Sequence, residues 1–403
     1  MKDIKKPQFM LEAATKKGHN VFIEIGIALI IFFVGSLSTS IFQVPGMMGY
    51  LLKNETYMHM MITGEIDMQK MMDVVRDLPE WFKILSLLGE IGLIGIILLY
   101  CRFLEKRKFK TMGFAAKGMP LQYIKGLLYG FAAFSIAYLI CIITGSIKFN
   151  GVSSNIIPLY IVGYFAGYLI QGMAEEVLCR GYLFVSLSRR YHVTTSIFVS
   201  SLFFACLHSA NAGLSFIAFL NLILFGVFAA LLLVKCENIW IVGAFHSIWN
   251  FVQGDLYGIQ VSGMAVSNSI FTSEMVSGRE IINGGSFGME GGIAVTAVLL
   301  AGISYIVYSL NKEGKLIDKS TQPSYIEIET ERIVKEMEKE MNGQMNNPFE
   351  NPMRRNNNSP YENMYASEPV HKPIENMPVQ AEDSEPEQVQ ENVKTEFDQN
   401  YFQ

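Results

Sequence analysis

The stretch IIPLYIVGYFAGYLIQGMAEEVLCRGYLFVSL, residues 156–187, is long and apolar enough to cross a bilayer, yet Glu175, Glu176 and Arg180 interrupt its second half. A spanning helix needs about 20 mainly apolar residues, and a charged side chain at mid-bilayer costs about 2.5–3.5 kcal/mol even on lenient insertion scales. His208 and His246 lie inside later apolar stretches. These polar groups of complementary chemistry predict a reaction centre buried in a membrane protein.

The apolar residues of the chain are concentrated in blocks of spanning length. Half of the 403 residues are hydrophobic, and about eight blocks reach the length that a spanning helix needs. The predicted spans are 21–43, 84–103, 121–145, 156–187, 193–212, 214–234, 238–253 and 291–310. The predicted fold class is therefore all-α, a polytopic membrane protein whose transmembrane bundle covers 21–310.

The positive charges predict how this bundle is oriented. Lysines and arginines cluster in residues 1–20, Arg102–Lys117, Arg189–Arg190, Lys235 and Lys312–Lys319. All five clusters fall on one side if eight spans alternate, and the positive side is normally the cytoplasm. The first apolar run is too long for a signal peptide and is expected to be retained. We expect a multi-pass protein of the cell membrane with both termini cytoplasmic.

The end of the chain has a different composition. Residues 311–403 carry 19 acidic and 10 basic residues and eight of the 13 prolines. So few apolar groups cannot offset the entropy of ordering, which predicts a mostly disordered cytoplasmic tail. Within it, 325–342 has the pattern of one amphipathic helix. Nothing in the chain resembles a nucleic-acid-binding motif.

Two loops and the five cysteines give weaker signals than the apolar blocks. The outer loop 44–83 holds eight of the 22 methionines, and its apolar spacing after Ile66 predicts an amphipathic helix at the membrane interface. A copper site on the thioethers is the alternative, but such side chains more often fill irregular apolar contacts. The loop 254–291 is rich in Gly and Ser and predicts little regular structure. The five cysteines lack CxxC spacing, which favours buried thiols over disulfides.

The first motif, AEEVLCRGYLF at 174–184, separates two carboxylates by function. On a helix Glu176 and Arg180 are four apart and share a face, in the order that favours pairing. Glu175 is rotated by about 100° and faces elsewhere. A built-in counterion thus neutralises one carboxylate and leaves its neighbour free, as a general base requires. A buried ion pair joining helices would explain Glu176 and Arg180, but not Glu175.

Two further motifs place imidazoles in later spans. FFACLHSA, residues 203–210, sets Phe204 and His208 one turn apart, and HSIWN sets His246 and Asn250 on one face. A lone intramembrane histidine is commonly a packing residue, whereas His246 and Asn250 together offer donors for a developing oxyanion. Measured from the basic ends of their spans, these residues and Glu175 lie roughly 16–27 Å along the helices, so they can converge in one layer.

The set EExxxR (Glu175, Glu176, Arg180), FxxxH (Phe204, His208) and HxxxN (His246, Asn250) resembles the CPBP family of CAAX proteases and bacteriocin-processing proteins. The similar region is 156–255. A later segment, GGSFGMEGGIAVT, resembles a Gly-rich stretch common before the last helix of such proteins. Eukaryotic members are type II CAAX prenyl endopeptidases, which remove the last three residues of prenylated proteins.

The resemblance implies roles for these residues. Glu175 would activate water with help from His208, His246 and Asn250 would stabilise the oxyanion, and Glu176 and Arg180 would hold Glu175. A metalloprotease is the alternative, in which Glu175, His208 and His246 bind zinc with water as the fourth ligand. No HExxH helix exists in the sequence, and the interpretation leans towards a metal-free mechanism.

The expected function is thus an intramembrane endopeptidase whose cavity opens to the cytoplasm and takes a peptide or protein substrate, lipidated in some cases, from the membrane. The first alternative is a bacteriocin immunity or scaffold protein without proteolysis. The second is an ion-coupled transporter, because buried Glu and His also build proton relays and Glu90 lies inside the second predicted span. Oligomeric state and substrate are left open by the sequence.

Overall fold

The computed structural model describes residues 2–14, 18–76 and 78–318, and from the segment beyond them only residues 330, 333, 334, 337, 338 and 341. It divides into one unit over 1–336 and a second over 337–403. The three described residues of the second unit, and those at 330, 333 and 334, are helical. Most of the predicted tail, including most of the helix expected over 325–342, lies outside the described residues.

The first unit is a helical bundle, which confirms the predicted fold class. Its α-helices are α1 Gln8–Ala13, α2 Val21–Leu51, α3 Glu55–Thr63, α4 Met68–Arg76, α5 Glu80–Gly89, α6 Ile91–Leu99, α7 Met119–Ile143, α8 Pro158–Glu176, α9 Val185–Ser188, α10 Val193–Leu207, α11 Phe216–Cys236, α12 Ile239–Phe251, α13 Glu280–Asn283 and α14 Ile293–Lys312. π-helical turns cover Tyr100–Leu104, Val177–Phe184 and Val252–Leu256, and 3₁₀ turns cover Phe109–Met112, Gly285–Phe287 and Met289–Gly291.

Five stretches of helix in the described part of the chain are long and apolar enough to cross a membrane. They are Val21–Ile41, Glu80–Leu104, Met119–Ile143, Phe216–Cys236 and Ile293–Lys312. The other three predicted spans are also helical, but α10 has only 15 residues, and the rest are built from α8 with α9 and from α12 with its following π turn. The chain is a multi-pass membrane protein, and eight crossings stay a prediction.

The strands are few and short. β1 (Lys2–Ile4) pairs antiparallel with β4 (Leu316–Asp318), and β2 (Ile147–Val152) pairs antiparallel with β3 (Phe271–Met275). The first pair brings the start of the chain beside the segment that follows α14, so these two segments lie at the same end of the bundle. The second pair places the short strand β3 inside the loop 254–291, for which the sequence predicts little regular structure. Its backbone groups are satisfied by β2, a partner that local composition does not reveal.

The outer segment also differs from the prediction. α2 continues past the expected end at residue 43 to Leu51, although Pro45 lies inside it. Its outer end packs against α5, where a Cβ at Gly46 would come within 2.9 Å of the Trp81 ring. Tertiary packing thus extends the helix beyond the point that local signals suggest. The expected amphipathic helix of this loop is present as α4.

The centre of the bundle is α12, whose residues from Ile239 to Asn250 are buried apart from Trp240. It packs against α7 and α8, while α10 packs against α11 and α5 against α8. Glycines permit these close approaches: a Cβ at Gly126 of α7 would lie 2.3 Å from the carbonyl oxygen of Ile241. A Cβ at Gly172 of α8 would lie 2.6 Å from the backbone nitrogen of Ser247. This tight packing fixes α8 and α12 relative to each other, and both carry the predicted site.

Candidate active site

The predicted site residues converge on one cavity of about 510 Å³. Glu175, His208, His246 and Asn250 line it directly. Glu176 and Arg180 lie behind this wall, with side chains that are 0% exposed. The lining also includes residues of α2, α5, α6, α11 and α14 and of the segments that connect the helices. Three motifs far apart in sequence therefore form one constellation, as their estimated depths in the membrane predicted.

Glu175 is the carboxylate nearest the centre of this constellation. Its Oε1 accepts a hydrogen bond from Nε2 of Gln171, one turn earlier in α8. Its Oε2 lies 3.8 Å from Nε2 of His208 and 3.8 Å from Nε2 of His246. These separations are too long for direct hydrogen bonds, and Oε2 has no hydrogen-bond partner among the described residues. One oxygen is thus anchored and the other faces both imidazoles.

The Nδ1 atoms of both imidazoles already have hydrogen-bond partners. Nδ1 of His208 lies 2.9 Å from the carbonyl oxygen of Phe204, so this nitrogen must carry the hydrogen and donate it. Nδ1 of His246 lies 2.9 Å from Oε1 of Glu176 and likewise donates to the carboxylate. In the neutral tautomers that these contacts select, both Nε2 atoms present a lone pair to Glu175.

Three acceptors therefore face one another: Oε2 of Glu175 and Nε2 of each histidine. Acceptors do not satisfy one another, and a buried polar atom without a partner is costly. A water molecule supplies two donors and can bridge two of these three atoms at ordinary hydrogen-bond lengths. The third contact is satisfied when Nε2 of His246 carries a proton and donates it. The geometry suits a bound water held beside a carboxylate, which is the arrangement that hydrolysis requires.

The ion pair predicted within EExxxR is present and completely buried. Nη1 of Arg180 donates to Oε1 of Glu176 at 3.2 Å, and Nε of Arg180 lies 3.2 Å from Oε2. Cζ of Arg180 also lies 4.6 Å from the centroid of the Phe204 ring. This cation–π contact gives Phe204, the aromatic residue of FxxxH, a structural role. The backbone from Val177 to Phe184 is a π-helical turn rather than α-helix. Such turns occur frequently at functional sites.

Asn250 differs in part from the sequence-based expectation. His246 and Asn250 both line the cavity, but Nδ2 of Asn250 donates to Oε1 of Gln171 at 2.9 Å. Gln171 in turn donates to Glu175, so one amide N–H of Asn250 supports the carboxylate rather than facing open space. The two donors expected side by side are thus engaged with different partners on α8.

Sequence reasoning missed Gln171 and Glu290 and gave Glu90 only an alternative role. Gln171 carried a usable signal, because it lies four residues before Glu175 on the same helix. Glu90, between α5 and α6, and Glu290, in the Gly-rich segment, both line the cavity. Oε2 of Glu290 accepts from the backbone nitrogen and the hydroxyl of Ser262, at 2.7 and 2.8 Å. No local pattern predicts such contacts between distant loops.

Glu175, His208 and His246, the residues considered as zinc ligands, lie further apart than the ligands of one zinc ion. In the part of the chain that the structure describes, no group of three or more His, Cys, Asp or Glu side chains is arranged to hold a metal ion. Ligands that share a tetrahedral zinc at about 2.0–2.1 Å lie roughly 3.3 Å apart, whereas Oε2 of Glu175 lies 3.8 Å from each imidazole nitrogen.

The fold and the site define a multi-pass helical membrane protein that gathers a carboxylate and two imidazoles around a buried cavity. Residues 157–252 match the family model for type II CAAX prenyl endopeptidase Rce1-like proteins. This match agrees with the family resemblance of the three motifs, and it supports CAAX-protease-like membrane peptidase activity in general. No curated protein and no solved structure matches the chain.

Proposed function

We propose that this protein is an intramembrane endopeptidase that cleaves membrane-associated peptides with a water molecule activated by Glu175. The observation that carries the proposal is the free Oε2 of Glu175, 3.8 Å from Nε2 of both His208 and His246 and facing the cavity. The family match supports the reaction class. The assignment of the individual residues rests on their geometry.

The proposed reaction begins with a water molecule between Glu175 and the two imidazoles. Glu175 takes a proton from this water as the oxygen attacks the peptide carbonyl, and His208 holds the water in place. The tetrahedral intermediate carries a negative oxygen, which an N–H of His246 in its protonated form and the remaining amide N–H of Asn250 stabilise. The oxyanion then re-forms a carbonyl as the peptide C–N bond breaks, and the proton on Glu175 is transferred to the leaving nitrogen. A carboxylic acid and a free amine are the products.

The supporting residues keep these groups in position. Glu176 accepts from Nδ1 of His246 and is itself neutralised by Arg180. Gln171 links Asn250 to Glu175 through two hydrogen bonds. Rigid support of this kind is essential, because a small misplacement of catalytic groups can cost about 10²-fold in rate.

The test is the substitution Glu175→Gln, which preserves size and removes the base. Purified protein in proteoliposomes is given a set of quenched fluorescent peptides that carry an acyl or prenyl anchor. We expect cleavage to fall by about 10²–10⁴-fold, as for loss of a general base. The matched control is Glu274→Gln. Glu274 is exposed on β3, and its carboxylate makes only a long ion pair with Lys148, at 3.9 Å.

Equal cleavage by the Glu175→Gln and Glu274→Gln variants would refute the assignment of Glu175. An immunity or scaffold protein would retain its protective effect in cells after the same Glu175→Gln change. The transporter alternative gains one observation, since Glu90 shares the cavity with Glu175. It predicts proton or ion flux into liposomes that depends on both carboxylates, without any cleavage of peptide.

A further inference from the structure

Most of the residues that line the cavity come from one half of the bundle, whereas Gln171, Glu175 and Leu178 lie near the middle of the span that α8 and α9 form. α2 starts at the end where the basic clusters lie, and it contributes residues only from Phe32 to Gln43. These residues begin in the second half of its membrane-spanning stretch, Val21–Ile41. α11 and α14 run towards that basic end and finish at Cys236 and Lys312. They contribute only from their first halves, over 221–225 and 295–299. The cavity therefore lies towards the end of the bundle opposite the basic clusters.

The connecting segments show the same asymmetry. Asn211, Ser262, Met264 and Glu290 line the cavity, and all four belong to connections at the end remote from the basic clusters. Of the described residues in the connections 105–118, 189–192 and 237–238, at the basic end, none lines it. Met264 is 53% exposed and marks the rim.

The cavity is closed towards the basic end. Behind Glu175 lie Glu176 and Arg180, and then Tyr182 and Phe184, all with 0% exposure. Further on, a second buried network spans the bundle: Arg189 pairs with Glu24 of α2 at 3.1 Å and with Glu105 at 2.6 Å. A peptide entering from the basic end would have to displace all of these groups.

The cavity wall carries both polar and apolar side chains. Gln43, Asn211 and Ser262 are polar, whereas Leu222 of α11 and Val295 and Leu299 of α14 are apolar. A wall of this mixed character suits a peptide that has a polar part and an apolar anchor.

The basic end is cytoplasmic by the distribution of lysine and arginine in short loops. Resting on the proposed peptidase function, we infer that the active site opens on the extracytoplasmic side and cleaves membrane-anchored peptides that are presented from the outer leaflet. This reverses the expectation of a cytoplasmic opening. The substrates are then exported peptides or the outer segments of membrane proteins, rather than lipidated proteins of the cytoplasm.

The first experiment measures the side of the opening without relying on catalysis. Intact cells that carry single added cysteines are treated with a charged, membrane-impermeant maleimide, and the unmodified protein gives the background from its five native cysteines. Ser40→Cys reports on the cavity wall, because the Ser40 hydroxyl bonds only the backbone of its own helix, at Ser36. Lys148→Cys and Lys108→Cys report on the two ends of the bundle.

We expect Lys148→Cys and Ser40→Cys to be labelled in intact cells, and Lys108→Cys to be labelled only after permeabilisation. If Ser40→Cys is labelled only after permeabilisation, as Lys108→Cys is expected to be, the inference is overturned. Labelling of Lys148→Cys alone in intact cells would also overturn it, because the cavity would then be closed to the outside.

The second experiment adds an acylated quenched peptide to intact cells. We expect extracellular cleavage that is at least about tenfold slower in cells with Glu175→Gln. Cleavage that requires permeabilisation would overturn the sidedness while leaving the peptidase function intact. Labelling as expected without cleavage of any anchored peptide would instead overturn the peptidase function, and with it the substrate class.

Discussion

Glu175 is held by an amide and not by a cation, and this distinguishes it from its neighbour Glu176. Gln171 fixes one oxygen and leaves the other free, whereas Arg180 and His246 occupy Glu176. A carboxylate held by a neutral group keeps its capacity to accept a proton from water. The difference between two adjacent identical residues thus arises from their partners.

At the residue scale, Gln171→Leu tests this positioning. The change removes the donor to Glu175 and the acceptor for Asn250 while keeping the size of the side chain. We expect kcat to fall by about 10–100-fold, as for the loss of comparable supporting groups, with KM nearly unchanged. The measurement is steady-state cleavage in proteoliposomes. Activity within about twofold of the unmodified protein would assign Gln171 a packing role only.

A second residue-scale prediction concerns the buried ion pair. Glu176→Gln leaves the guanidinium of Arg180 without its counterion in a fully buried place, so we expect a loss of about 3–5 kcal/mol of unfolding free energy. The double variant Glu176→Gln with Arg180→Met should recover part of that loss, since no buried charge is then unpaired. Unfolding in detergent, followed by circular dichroism, measures both. A double variant as unstable as the single one would contradict this explanation.

At the element scale, the geometry of the site depends on how closely α8 approaches α12. The motifs predicted which residues face the cavity, because i and i+4 positions share a helix face. They could not predict the π-helical turn after Glu176 or the approach at Gly172, since neither has a local signal. Both adjust the rotation and spacing of the helices that carry Glu175 and His246.

Gly172→Ala tests the closeness of this packing. The added methyl group would lie 2.6–2.8 Å from backbone and side-chain atoms of Ser247, so α12 has to move by some tenths of an ångström. We expect cleavage to fall by about 10-fold or more, because displaced catalytic groups lose rate steeply. The matched control is Gly95→Ala in α6, where nothing lies within 4 Å of the added atom. Equal activities of the two variants would show that the approach is not critical.

At the scale of the whole molecule, buried charges join parts of the chain that are far apart in sequence. Arg189 follows α9, Glu24 lies in α2, and Glu105 follows the π turn after α6. Arg107 extends the network through Glu105, at 2.7 Å, and through the Ser186 hydroxyl, at 2.9 Å. The sequence predicted a row of basic loops on one side of the membrane, but it could not predict which arginines turn inward.

Arg189→Leu should therefore destabilise the protein strongly. It leaves Glu24 without its cationic partner in a place where the carboxylate is 0% exposed, and breaking such a pair costs about 3–5 kcal/mol. The adjacent Arg190→Leu is the control, since Arg190 is exposed. The measurement is the thermal midpoint in detergent. Similar midpoints for the two variants would show that the network is not a main source of stability.

The prediction from sequence was most successful where a physical signal is local. Apolar length predicted the helical spans, and motif spacing predicted the residues that gather around the cavity. It had no local signal for the half of each helix that contributes to the cavity wall, because that depends on how the helices pack against one another. Glu90 and Glu290 belong to no sequence motif, and only the three-dimensional structure shows that they line the cavity.

The shortness of α10 has a consequence for the surrounding lipid. Its 15 residues extend about 22 Å, against a hydrocarbon thickness of about 30 Å, and His208 follows directly at its end. Such hydrophobic mismatch is relieved by local thinning of the bilayer. We expect the headgroups to dip towards His208, which would bring water and a lipid-anchored chain to the same depth.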